Sequence, residues 1–184
     1  MKRLMVALAI VSLFAVSAQA QSFINGIGLS VGYVDVENAE SSSIGFGMFA
    51  DVGMAGPQFS LQPYVDYWSN SENVEGGGEF KTRDIALGAK GLYNFQFASE
   101  NVKPFLGAGL GVHFLKAESP AIDMGGGLNF PAFEASDTKL GVDLGGGIGF
   151  GAGPVELRGE GWYTFISDAN TLGARASLII PFGI

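Results

Sequence analysis

Glu156, Arg158 and Glu160 alternate within the run Pro154–Phe165, with Lys139 and Asp143 in the run before it and Arg175 in the run after it. Two glutamates so placed suggest general acid and base chemistry. At about 3.4 Å per residue of extended chain they stand roughly 13 Å apart, beyond the spacing of a glycoside-cleaving pair. The plainer expectation for all six residues is an ion network in which each buried charge has a partner. His113 is the only histidine, and a lone imidazole makes no metal centre of its own. The chain has no cysteine, which removes thiolate ligands, thiol nucleophiles and any disulfide framework. Glycine strings at Gly107, Gly109, Gly111 and at Gly145, Gly146, Gly147, Gly149 resemble phosphate cradles. A dinucleotide fingerprint needs a helix to follow, and extended runs follow instead, so these glycines are expected to make space for packing. No catalytic residue, no cofactor and no metal is expected.

A second group of carboxylates lies between the patterned runs: Asp35, Glu37, Glu40, Glu72, Glu75, Glu79, Glu118, Asp123, Glu134, Asp137 and Asp168, against Lys81, Arg83, Lys116 and Lys139. Solvated loops account for them. A sharper reading is bridging by Ca²⁺ or Mg²⁺, which take oxygen ligands, to the phosphates of lipopolysaccharide. The stretch Lys116 to Asp137, with Met124, Phe130 and Phe133 among glycines and prolines, is the best candidate for touching a partner.

The chain begins with Lys2 and Arg3, an apolar run from Leu4 to Val16, and Ser17-Ala18-Gln19-Ala20. This is the layout of a cleaved export signal over residues 1–20, leaving 21–184 as one domain with no Pro/Ser linker. The formal charge of −8 falls to −10 when the two cations leave with the signal, which argues against nucleic acid as a partner. Hydrophobic residues make up 47% of the chain and charged ones 15%, with 29 glycines in 184 residues, yet after Ala20 no stretch stays apolar for 18 residues. A helical membrane protein is thereby excluded. A buried soluble β fold or a membrane-spanning barrel remains, because period-two alternation hides apolar surface from a hydropathy window.

Alternation recurs in eight segments: Gly26–Val34, Ser43–Gly53, Phe59–Ser69, Thr82–Tyr93, Val102–Leu115, Thr138–Phe150, Val155–Phe165 and Thr171–Phe182. Arg83 at the edge of the fourth segment apart, the apolar face lacks Asp, Glu, Lys, Arg and His throughout, and the ionisable residues sit on the other face. A soluble barrel would fill that second face with Lys, Glu and Thr; here it is mostly Gly, Ser and a few charges. The interior of a barrel of about eight strands is only just wide enough for side chains, so glycines beside Tyr64, Trp68, Arg158 and Trp162 fit there. Aromatics on the apolar face fall at strand ends, as an interfacial girdle requires. Tyr33, Tyr67, Phe114, Tyr163 and Phe165 mark one rim, and Phe59, Tyr93, Phe150 and Phe182 the other. The expected fold is all-β, a closed antiparallel up-and-down transmembrane β-barrel. Short connections at 54–58, 94–101 and 151–153 alternate with 35–42, 70–81 and 116–137, which places both termini in the periplasm; 166–170 is a short exception.

The runs VKPFLGAGLGVHF (Val102–Phe114) and PVELRGEGWYTF (Pro154–Phe165) and the closing LIIPFGI make the mature chain resemble the opacity-protein and OmpA-like family of small outer-membrane barrels. The resemblance implies the outer membrane, outer-membrane lipid and lipopolysaccharide as surroundings, and insertion by the barrel-assembly machinery; the oligomeric state is not written in the sequence, and a monomer is the working expectation. Members usually end on an aromatic, whereas Phe182 here precedes Gly183 and Ile184. Small lipid A deacylases keep a catalytic His followed two positions on by Ser, and after His113 that position is Leu115. The expected role is non-enzymatic, in envelope integrity or surface interaction, with a plugged lumen. A narrow channel for small or amphipathic solutes is the alternative, and a lipid A-modifying enzyme a distant third.

Overall fold

The computed structural model describes residues 24–37, 41–53, 58–73, 78–96, 102–123, 129–167 and 170–182. The export signal read at residues 1–20 and the closing Gly183-Ile184 lie outside them. In chain order the strands are β1 (Ile24–Val36), β2 (Ser43–Gly53), β3 (Phe59–Asn73), β4 (Glu79–Asn94), β5 (Val102–Ser119), β6 (Ile122–Asp123), β7 (Asn129–Phe130), β8 (Phe133–Ala152), β9 (Val155–Ile166) and β10 (Thr171–Pro181).

Eight of these close into a barrel in the order β1-β10-β9-β8-β5-β4-β3-β2, each antiparallel to its neighbours. Closure is made by β1 and β10, paired from Gly26↔Pro181 to Val36↔Thr171, and it leaves no free sheet edge. Between the two rims each strand is therefore paired on both sides, the condition for crossing hydrocarbon. β6 and β7 form a separate two-stranded hairpin in the long β5–β8 connection.

The side-chain period of two sorts the wall into two faces. Leu29, Met48, Val65, Leu110, Leu144 and Ile180 point outward and are exposed, while Ser30, Tyr64, Asp66, Lys90, Asp143 and Trp162 point inward and are buried. An ordinary soluble domain reverses this arrangement. Here Leu140 is 77% exposed and Asp84 1%.

Aromatic rings stand at both ends of the outward face. Tyr67, Ile85 and Phe114 lie in one cross-strand row at the end away from the termini, the far end. Phe59 and Tyr93 pair at the terminal end, with ring centroids 5.1 Å apart in edge geometry. At the terminal end β8 turns into β9 through Gly153 and Pro154. Gly153 takes φ +67, which a two-residue hairpin of this hand requires at its first position, and Pro supplies a negative φ at the second.

The strands exceed the alternating segments mainly at the far end. β3 runs to Asn73 rather than Ser69, β5 to Ser119 rather than Leu115, and β8 begins at Phe133 rather than Thr138. The β5–β8 ladder continues to Ser119↔Phe133 within what alternation leaves as loop. Beyond the aromatic row the outward face of these strands turns polar, with Lys116, Glu118, Glu134 and Ser136, so the apolar-outward period stops while the hydrogen-bond ladder does not. Cross-strand pairs support it: Arg83 Nη2–Glu118 Oε1 at 2.7 Å and Lys116 Nζ–Glu134 Oε1 at 2.6 Å.

Candidate functional site: the barrel interior and its far mouth

Large inward side chains face glycines on neighbouring strands, and this fit lets them cross the lumen. A Cβ at Gly145 would meet the Trp162 ring at 2.7–2.8 Å, and one at Gly147 would meet Phe105 Cζ at 2.8 Å. Tyr64 on β3 passes Gly88 and Gly111, where a Cβ would lie 2.7 and 2.5 Å from its hydroxyl, and reaches Asp143 on β8. Arg175 on β10 passes over Gly32 of β1, Asp66 on β3 reaches over Gly47 of β2, and the two meet. The glycine strings are thus grooves for long side chains.

Three groups of polar contacts result. Nearest the termini, Arg158 Nη2 donates to Glu156 Oε1 at 3.0 Å and stands 3.7 Å from Asp51 Oδ2, and Lys103 Nζ donates to Glu156 Oε2 at 2.9 Å. The Arg158 guanidinium also lies 4.7 Å from the Phe105 ring centre, a cation–π distance.

In the middle, Arg175 Nη1 donates to Asp66 Oδ2 at 2.5 Å, with Lys90 Nζ 3.9 Å from the same oxygen. Asp143 accepts from Tyr64 OH and from Thr164 Oγ1, both at 2.6 Å. Glu160 accepts from Trp162 Nε1 and Ser177 Oγ, both at 2.8 Å. Lys90 lies 4.3 Å from the ring centres of both Tyr64 and Trp162. Farther along, His113 Nδ1 is 2.7 Å from Asp84 Oδ2, and both residues are buried. A cavity of about 20 Å³ touches Asp84, His113, Asp143 and Arg175, room for roughly one water.

The six residues singled out from sequence are distributed over these levels. Glu156 and Arg158 are bonded to each other; Asp143, Glu160 and Arg175 belong to the middle layer through partners of their own. Lys139 stands apart, with Nζ donating to the Ser167 carbonyl at 2.7 Å and 3.7 Å from Asp137. Asp51, Asp66, Lys90, Lys103, Asp84 and His113 complete the layers. Inward parity marks all six, but Asp51 and Lys103 find Arg158 and Glu156 on strands that are not adjacent to their own, which parity does not reveal.

At the far end, past the aromatic row, the outward face carries the chain Arg83–Glu118–Lys116–Glu134. The hydrogen bond from Lys116 holds the Glu118 carboxyl below its usual range, and the bonds to Glu118 and Glu134 raise the Lys116 ammonium. A wider cavity of about 210 Å³ opens inside the rim there, lined by Val36, Glu37, Trp68, Asn70, Glu72, Phe80 and Thr82.

Residues 6–172 match the family described as outer membrane protein beta-barrel domain. The chain belongs to that family. Three solved structures share the fold of this outer-membrane barrel. Neisserial surface protein A aligns at TM-score 0.60 and 17% identity, over 87% of this chain and 97% of its own. The attachment invasion locus protein of Yersinia pestis, solved with the heparin analogue sucrose octasulfate, aligns at 0.58 and 14%, over 86% and 100%. The N-terminal barrel domain of Pseudomonas aeruginosa OprF aligns at 0.53 and 9%, over 88% and 100%. No curated protein sequence matches the chain. At such identities the likeness concerns architecture, and the function of this outer-membrane barrel has to be argued from its own interior and rims.

Proposed function

We propose that this outer-membrane barrel is non-enzymatic and closed to ions, and that it serves envelope integrity or surface interaction. In this reading residues 1–20 direct export, both termini face the periplasm and the far mouth opens at the cell surface. Lipid and lipopolysaccharide surround it, and it works as a monomer inserted by the barrel-assembly machinery.

The observation that carries the reading is the middle layer. Tyr64, Asp66, Lys90, Asp143, Trp162 and Arg175 reach toward one another from five strands and leave about 20 Å³ beside them. A hydrated ion in transit would have to part several charge-assisted hydrogen bonds at once. The next level disfavours lipid chemistry, because the buried Asp84–His113 pair adjoins a space far too small for an acyl chain. The long β5–β8 ladder beyond the aromatic row supports surface exposure of that end, and the tight Gly153–Pro154 turn supports the periplasmic assignment of the other.

Planar-bilayer recording tests this. The purified mature barrel should insert without producing steady single-channel current. Sustained ohmic conductance would replace the closed-lumen reading by a narrow channel, and altered lipid A mass on overexpression would replace it by an enzyme.

A further inference from the structure

We propose that the far mouth of the barrel is a binding site for an organic cation, a protonated amine or guanidinium on an aliphatic stem. The proposal deepens the surface-interaction reading, on which it rests for placing this mouth outside the cell.

The cavity of about 210 Å³ there is small beside drug-sized pockets of about 300–1,000 Å³, so its occupant is a short molecule or one extended side chain. Its walls combine two kinds of surface. Trp68, Phe80 and Val36 are aromatic or aliphatic, and Glu37 and Glu72 are carboxylates. Trp68 also lines the small cavity beneath, so it stands between the two, and the residue is 7% exposed.

The two carboxylates are held differently from four other far-end acids. Glu79, Glu118, Glu134 and Asp137 each have a Lys or Arg within 4 Å. Glu72 Oε1 instead accepts from Asn70 Nδ2 and Ser41 Oγ, both at 3.2 Å, and Glu37 Oε2 accepts from Asn170 Nδ2 at 2.6 Å. Neutral donors orient both without cancelling their charge, and among the described residues neither has a cationic partner. The cationic side chains nearest in sequence, Lys81 and Arg83, alternate with the inward Phe80 and Thr82 and pair with Glu79 and Glu118.

Aromatic faces together with fixed, unneutralised carboxylates select a cation that also carries apolar surface. A hydrated metal ion would gain nothing from Trp68 and Phe80, and among the described residues no three acidic or histidine side chains converge as metal ligands. An alkylammonium satisfies both features, its head on the glutamates and its stem on the rings. Such a group is offered either by a free diamine or by a lysine side chain of another protein.

Calorimetric titration of the full mature barrel refolded in detergent micelles, with tryptophan fluorescence recorded in parallel, tests the site. The probes are cadaverine, an N-terminally acetylated and C-terminally amidated Gly-Lys-Gly peptide with its lysine ammonium free, glutarate as an anion of similar length, and Ca²⁺. Saturable binding of cadaverine, weakened at least about tenfold in the double variant Glu37→Gln/Glu72→Gln, is expected, with no binding of glutarate. The peptide binding as well would assign the site to a protein-borne lysine; cadaverine alone would assign it to a free amine. Phe80→Ala removes no charge and should also weaken binding, which keeps the test decisive if the double variant fails to fold. No binding of either amine up to roughly 10 mM, equal affinity in both variants, or saturation by Ca²⁺ alone would overturn the proposal. The closed-lumen reading fails separately: a conducting barrel that still binds cadaverine would end that reading and leave this site standing.

Discussion

Arg175→Met should lower the unfolding free energy of the barrel by about 3–5 kcal/mol, a larger effect than any exposed ion pair can have. The loss is not chiefly the Arg175–Asp66 bond itself. It arises because Asp66, 8% exposed, would keep its charge inside the lumen with only Lys90, 3.9 Å away, to answer it. The double variant Asp66→Asn/Arg175→Met should therefore recover much of the loss, since it removes the stranded charge as well as its partner. Urea unfolding in lipid vesicles, followed by tryptophan fluorescence, measures all three proteins. A single variant as stable as the parent would mean that Asp66 is solvated by bulk water and the lumen is open.

Leu110→Arg probes the other face of the wall. Leu110 is 67% exposed and sits midway along β5 between the two aromatic rims. If its surroundings are acyl chains, a charge there should cost about 2–4 kcal/mol, falling to about 0–1 kcal/mol for Leu172→Arg at the level of Tyr163, near the far rim. The depth dependence is the informative part, because a residue equally exposed to water would accept arginine at either place with little change. Equal small costs at both positions in the same vesicle assay would contradict a lipid-facing wall.

The two faces were legible in the sequence because strand geometry maps parity directly onto side. Leu106, Leu110 and Phe114 against Phe105, Gly109 and His113 suffices to assign inward and outward without any tertiary information. Strand ends beyond the aromatic row were not legible, since Lys116, Glu118, Glu134 and Ser136 turn the outward face polar and so end the apolar-outward period that marks the strands below. The interior was legible only residue by residue. Parity puts Asp66 and Arg175 inside, but they meet across β1 and β2, and that encounter depends on barrel closure, on register and on the clearance left by Gly32 and Gly47. Tyr64 and Asp143, 79 residues apart, meet across β4 and β5 for the same reason. The far-mouth cavity was less legible still: Glu37 and Glu72 read as ordinary loop acids until the extended β3 carries Glu72 onto the inner wall beside Phe80.

Because the chain contains no cysteine, single-cysteine variants at Leu110 and Leu144 can each carry one spin label on the mature barrel in phospholipid bilayers. Collision rates with oxygen, which concentrates in hydrocarbon, and with a water-soluble nickel chelate report what each label touches. The outward assignment of the apolar face predicts high oxygen and negligible nickel collision at both sites. Labels that collide readily with nickel, or that are shielded from both reagents as in a packed protein interior, would contradict it.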